Sequence, residues 1–205
     1  MDAFTKWTAK AAPIDAANVD TDQIIPAPFL SRIRKEGYEG LLFYRVRRMS
    51  DGKMDPNFIL NQDAFKDAGI LVADRNFGCG SSRENAAWTL VDNGIRSVIA
   101  PSFGDIHYDN EMNNGMVPVI LDAEICADLR RQLHDSPGGE ITVDLERNVV
   151  VVPDGREHNF SIPALIESGC SGVWMTFPLL WSRRMTSRHM RLNGETRLIG
   201  YLNRD

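Results

Sequence analysis

Gly69-Ile70-Leu71-Val72-Ala73-Asp74-Arg75-Asn76-Phe77-Gly78-Cys79-Gly80-Ser81-Ser82-Arg83-Glu84-Asn85 decides how the chain folds. Gly69 to Ala73 is an apolar run of strand length. It leads into two glycines around Cys79, then two hydroxyls, a guanidinium and a carboxylate. From Glu84 to Asn93 the spacing is helical, with Ala86-Ala87-Trp88-Thr89-Leu90-Val91 at its centre and Gly94 as its stop. Ile95 to Ala100 is a second apolar run, closed by Pro101. Residues 69–100 therefore predict a strand–loop–helix–strand unit and an α/β core. The glycines permit a sharp turn and a close approach to a ligand. Ser81 and Ser82 are residue types that cap helices, and a helix start offers N–H groups and a positive dipole end to an anion. Arg83 adds a two-pronged donor for a carboxylate or phosphate. The junction is either an anion site or an ordinary Gly-rich turn with a serine cap.

Downstream, Ser102 to Asn114 is polar and reads as helix, Gly115 to Leu121 as strand, and Asp122 to His134 as an amphipathic helix. Asp122 is its candidate cap, and Ile125, Leu129 and Leu133 form its apolar stripe. Residues 141–145 and 148–153 predict a hairpin, and Phe160 to Gly169 a short helix. Upstream, residues 1–17 read as irregular or strand-like. Asn18-Val19-Asp20-Thr21-Asp22-Gln23-Ile24-Ile25-Pro26 is a polar turn followed by an apolar pair. Asp20 and Asp22 are spaced like calcium-loop ligands, but the Gly and distal Glu of such a loop do not follow. Residues 29–57 form a long basic excursion of the kind that carries function or lacks order. Its 29–50 part and the stretch from Pro178 read as short of apolar anchors, and for that reason as mobile in the absence of a partner. The stretch from Pro178 is basic, with Arg183, Arg184, Arg188, Arg191 and Arg197, and reads as a solvated face.

The 205 residues, 43% of them hydrophobic, suffice for one domain with a sizeable core. A net charge of -5 argues against a general nucleic-acid binder. No apolar run approaches membrane-spanning length, and the start lacks a signal-peptide core. Cys79, Cys126 and Cys170 are far apart and form no CxxC pair, so neither a zinc nor an iron–sulfur site made by this chain alone is expected. A reducing cytoplasm is the simplest compartment.

The chemistry narrows by elimination. Gly80-Ser81-Ser82 is not the G-x-S-x-G elbow, and His107, His134, His158 and His189 have no hydrolase spacing. A P-loop needs a lysine that is missing here, and a dinucleotide fingerprint needs a third glycine where Arg83 or Glu84 stands. Cys79 reads as a small side chain between glycines rather than a reactive thiol. His107 reads as a surface or core histidine rather than a ligand. Ser81, Ser82 and Arg83 remain, aimed at an anion, with Asp22 as a further polar group.

Three linked motifs then carry a resemblance. Asn18 to Pro26, Asn76 to Glu84, and Ser102-Phe103-Gly104-Asp105-Ile106 with Asn110, Asn114-Gly115 and Pro118 occur in the order and spacing of the 3-isopropylmalate dehydratase small-subunit family. The likeness spans residues 10–165. It implies the three-layer β/β/α swivelling domain of the aconitase superfamily, here one domain over 1–205 with a specificity loop near 29–50. It implies a hydro-lyase that isomerises 2-isopropylmalate to 3-isopropylmalate in leucine biosynthesis, active only with a large subunit that carries a [4Fe–4S] cluster as Lewis acid. No cofactor is expected on this chain. Its expected partners are that subunit and a small dicarboxylate, not nucleic acid or membrane. By the same resemblance Ser81 is the base, Ser82 and Arg83 hold substrate carboxylate, Asp22 joins the cluster-side network, Leu30 contacts the alkyl group and Arg32 is a polar contact. The chain departs from the family pattern at Asn85, where His is usual, at Ala87, where Pro is usual, and at His107, where Phe is frequent. These departures leave open another 2-hydroxy diacid, of methylmalate or homoaconitate type, and a non-catalytic binding subunit.

Overall fold

The computed structural model describes residues 5–81 and 83–161. Ser82, the basic stretch from Pro178 and the expected helix beyond Ser161 lie outside them. In chain order the described elements are β1 (Lys6–Ile14), α1 (Thr21–Ile24), β2 (Ile70–Ala73), α2 (Glu84–Asp92), β3 (Ser97–Ala100), α3 (Asp105–Asn113), β4 (Val117–Ile120), α4 (Ala123–Asp135), β5 (Glu140–Asp144), β6 (Val149–Val151) and β7 (Glu157–Asn159). The expected unit at 69–100 is present, with β2 and β3 parallel and Ile70 opposite Ser97.

The strands form one sheet ordered β4-β3-β2-β1-β5-β6-β7. The four on the β4 side are parallel, and β1 hands over to an antiparallel limb. β1 is the hinge of this arrangement. Lys6 to Lys10 pair with β5, whereas Ala11 to Ile14 pair with β2. Pro13 therefore lies beyond the reach of β5, on a side where no ladder needs its missing N–H. Residues 1–17, which read as at most strand-like, thus hold the central strand.

Side chains alternate across the parallel strands as a two-residue period requires. Ala12, Leu71, Ala73, Val98 and Ala100 face a core shared with Ile24 of α1 and with Ala86 and Leu90 of α2. Ala11, Ile70, Val72 and Ile99 face the other, with Cys126, Leu129 and Leu133 of α4 and with Ile141, Val143 and Val150 of the limb. The limb thus closes over the face that α4 also covers, giving the three-layer β/β/α fold with α4 on the limb side. Burying each such Leu, Ile or Val contributes about 1.5–3 kcal/mol, so both faces of the parallel sheet are committed to core.

Several local expectations need correction. The buried stripe of α4 is Cys126, Leu129 and Leu133, with Ile125 only partly buried, and Asp122 occupies the cap position without a side-chain hydrogen bond. Strand β7 is short, polar and edge-lying, and its sequence carries no alternation. The excursion is not short of anchors: Tyr38, Leu41, Leu42 and Phe43 are buried in the first core, and the Phe43 N–H donates to the Ile24 carbonyl at 2.9 Å. Nor are its charges all solvated. The Arg47 guanidinium donates to the Asn61 Oδ1 through Nε and Nη2, and burial lowers its pKa.

Candidate active site

The three motifs converge at one edge of the parallel sheet. Each follows the carboxyl end of a strand: residues 18–26 follow β1, 76–84 follow β2, and 102–106 follow β3. In parallel α/β sheets this edge is where ligands bind. Backbone hydrogen bonds stitch the segments together. The N–H groups of Gly78 and Cys79 donate to the Val19 carbonyl at 2.7 and 3.2 Å, and the Thr21 N–H donates to the Cys79 carbonyl at 3.1 Å. The Phe77 N–H donates to the Ser102 carbonyl, and the Gly104 N–H returns to the Phe77 carbonyl. The Asn76 amide donates to the Asn18 Oδ1 at 2.8 Å, and both residues adopt positive φ, which asparagine tolerates.

Gly78 is the position where only glycine fits. Its φ is +71°, and a Cβ there would overlap the imidazole carbons of His107. That imidazole is fully buried beneath the loop, with Nε2 at 2.9 Å from Oε1 of the equally buried Glu111. Burial pushes the Glu111 carboxyl pKa up, against the opposing pull of His107. His107 is thus a core histidine that props the loop.

The loop carries Ser81 to the surface, where its side chain is exposed while its carbonyl accepts from the Thr21 hydroxyl at 3.3 Å. Ser81 does not cap α2. Arg83 holds the cap position in extended conformation, with no side-chain cap hydrogen bond. Among the described residues no side chain caps the first turn of α2, where the Ala86 N–H donates back to the Arg83 carbonyl at 3.0 Å, and the N–H groups before it suit an anion. Asp20, in contrast, caps α1 by accepting from the Gln23 N–H at 2.7 Å. The Arg83 Nη1 donates to the Asp22 Oδ1 at 2.8 Å in a half-exposed ion pair. Burial and the Asp20 carboxylate both raise the Cys79 pKa, which favours the thiol over the thiolate.

The structure thus brings Ser81, Arg83 and Asp22 together, but holds Leu30 and Arg32 on the adjoining excursion. Leu30 packs against the first core, and Arg32 directs its Nε to Glu36 at 3.3 Å. Sequence reasoning missed what ties this segment to the site. The Asn85 Nδ2 donates to the Tyr38 hydroxyl at 2.7 Å, and that hydroxyl donates to the Arg32 carbonyl at 2.6 Å. The departure at Asn85 was a visible signal, but its partner, 47 positions away, had none. No helix among the described residues is long and apolar enough to cross a membrane.

A family model described as the aconitase C-terminal domain matches residues 1–124, and a second, LeuD_N, matches 127–164. The chain is similar to a 3-isopropylmalate dehydratase small subunit of Granulibacter bethesdensis, 51% identical over 162 residues, covering 79% of this chain and 77% of the relative. One from Marinobacter nauticus is 44% identical over 171 residues, covering 79% and 80%. Among solved structures, a 3-isopropylmalate dehydratase from Methanocaldococcus jannaschii matches with a TM-score of 0.57 at 26% identity, covering 89% of this chain and 97% of that one.

Proposed function

Since the chain belongs to the family of 3-isopropylmalate dehydratase small subunits, built on the aconitase C-terminal domain, we propose that it supplies half of an active site. The reaction isomerises 2-isopropylmalate to 3-isopropylmalate by dehydration and rehydration, in a cytoplasmic complex with a large subunit. The observation that carries this is the meeting of Ser81, Arg83 and Asp22 at the sheet edge, beside the start of α2.

Arg83 exchanges Asp22 for a substrate carboxylate, a stronger two-pronged partner. Ser82 adds a hydroxyl donor to the same carboxylate, and Asp22 turns to the large-subunit side. The Ser81 Oγ takes the proton from the carbon next to a carboxylate while hydroxide leaves the neighbouring carbon. On rehydration the same oxygen returns the proton, and hydroxide adds at the other carbon. A serine hydroxyl is a weak base at its ordinary pKa. The positive end of α2 and the Arg83 charge stabilise the alkoxide it must become. Leu30 and Arg32 meet the alkyl side of the substrate. Among the described residues no three His, Cys, Asp or Glu side chains group as a metal site. We assign the [4Fe–4S] cluster to the large subunit.

Co-expressing this chain with its large subunit and supplying 2-isopropylmalate tests the function. Chromatography should show 3-isopropylmalate from the complex and from neither subunit alone. A tight complex that turns over no 2-hydroxy diacid would make the chain a binding subunit instead.

A further inference from the structure

We propose that Asn85 and Tyr38 are positioning residues that set where the substrate-discriminating segment around Leu30 and Arg32 stands relative to Ser81. The inference rests on the reading that residues 29–50 govern specificity and adds the device that aligns them.

Helix α2 is the track on which this segment is mounted. Asn85, Trp88 and Asp92 stand three and four residues apart and share one face. All three touch the excursion. Asn85 holds the Tyr38 hydroxyl, and Trp88 lies with its ring centroid 5.8 Å from that of Tyr38. Asp92 accepts two hydrogen bonds from Arg34, at 2.5 and 2.7 Å, and a third from the Tyr38 N–H at 2.8 Å. Just beyond the helix, Asn93 accepts from the Gly40 N–H at 3.0 Å and donates to the Tyr38 carbonyl at 3.0 Å. Tyr38 is fully buried, so its ring cannot shift without opening the core.

The hydrogen bonds run in one direction only. The Arg32 carbonyl can only accept, so the Tyr38 hydroxyl must give it the proton. The Tyr38 oxygen is then left as an acceptor, which the Asn85 amide N–H fills. The relay begins two residues after Arg83, in the first turn of α2, and ends at the backbone of Arg32. The helix start that faces the substrate carboxylate is thereby tied to the segment that faces the alkyl group. One rigid element sets the distance between the two recognition ends.

The test uses the two-subunit complex. Tyr38→Phe removes one oxygen and keeps the ring, and Asn85→Leu keeps the branched shape and removes the donor. Hydrogen exchange should quicken in residues 30–36 of both variants and stay unchanged in α4. The ratio of kcat/KM for 2-isopropylmalate to that for its methyl analogue should fall about tenfold. The double variant should shift it no further than either single one, because the relay needs both members. Unchanged exchange at 30–36 overturns the inference whatever the activity. So does a preserved ratio with only a loss of active enzyme, which is the mark of a merely structural role. A wild-type complex without turnover sinks the proposed function and with it the specificity claim, while the exchange experiment still decides whether the relay holds the segment.

Discussion

Replacing Gly78 by alanine tests the loop geometry at its tightest point. Two costs add. At φ +71° an L side chain strains against its own backbone, about 1–2 kcal/mol. The new methyl would also strike the imidazole, whose Cβ lies 2.7 Å from the added carbon and whose Cγ and Cδ2 lie closer still. The ring has nowhere to go: it is fully buried, with Phe77 at 5.7 Å between centroids and Glu111 at 2.9 Å. Overpacking of this kind costs about 1–3 kcal/mol. The sum, roughly 2–5 kcal/mol, should lower the urea midpoint of the purified chain by about 1–2.5 M at a slope near 2 kcal/mol per molar. A cycle with His107→Ala separates the costs. With the ring gone the overlaps with Cγ and Cδ2 disappear, while the 2.7 Å contact with Cβ and the backbone strain stay, so Gly78→Ala should then cost less than in the wild-type background. A loss below about 1 kcal/mol in the wild-type background, or the same loss with and without the imidazole, would refute the reasoning.

Two further outcomes follow from the site. Burial raises the Glu111 pKa above its ordinary 4.5, so the folded state keeps a proton that the unfolded chain releases. That stabilisation is complete below the unfolded value and is lost as pH climbs through the folded one. Glu111→Gln, which resembles the protonated form, should therefore match wild type near pH 4.5 and melt higher at alkaline pH. A gap in Tm that widens toward acid would reverse the sign. Arg83→Lys keeps the charge but loses the fork, so KM for the diacid should rise about tenfold or more. Thermal unfolding should change by less than about 1 kcal/mol, since a half-exposed ion pair contributes little. An unchanged KM would remove Arg83 from carboxylate binding.

The legible parts of the chain were those whose local pattern matches their tertiary role. Strands β2 and β3 are buried on both faces, so Ile70 to Ala73 and Val98 to Ala100 read as apolar runs, and α2 between them had a stripe and a glycine stop. β1 was opaque because its outer half is exposed and its inner half contains Pro13, and because its antiparallel partner lies some 130 residues away. The apolar Leu41-Leu42-Phe43 stood in plain view, but the arginines around it suggested a solvated loop. At the site, the three motifs marked the segments, and Ser81 and Arg83 stood out by chemical type. The cap position was not legible, because serines are common caps, whereas here the loop is drawn across to Val19 and Thr21 and Arg83 takes that position. The ion pair of Arg83 with Asp22 spans 61 positions, and the relay through Tyr38 spans 47, so no local pattern announces either.

The central claim is that Ser81 moves the proton in a shared active site. Its most direct measurement is the rate at which the reconstituted complex carrying Ser81→Ala interconverts 2-isopropylmalate and 3-isopropylmalate. Subunit association and KM should be retained while kcat falls by at least about a hundredfold, the contribution expected of a positioned base. A variant complex that assembles and turns over at the wild-type rate would contradict the account.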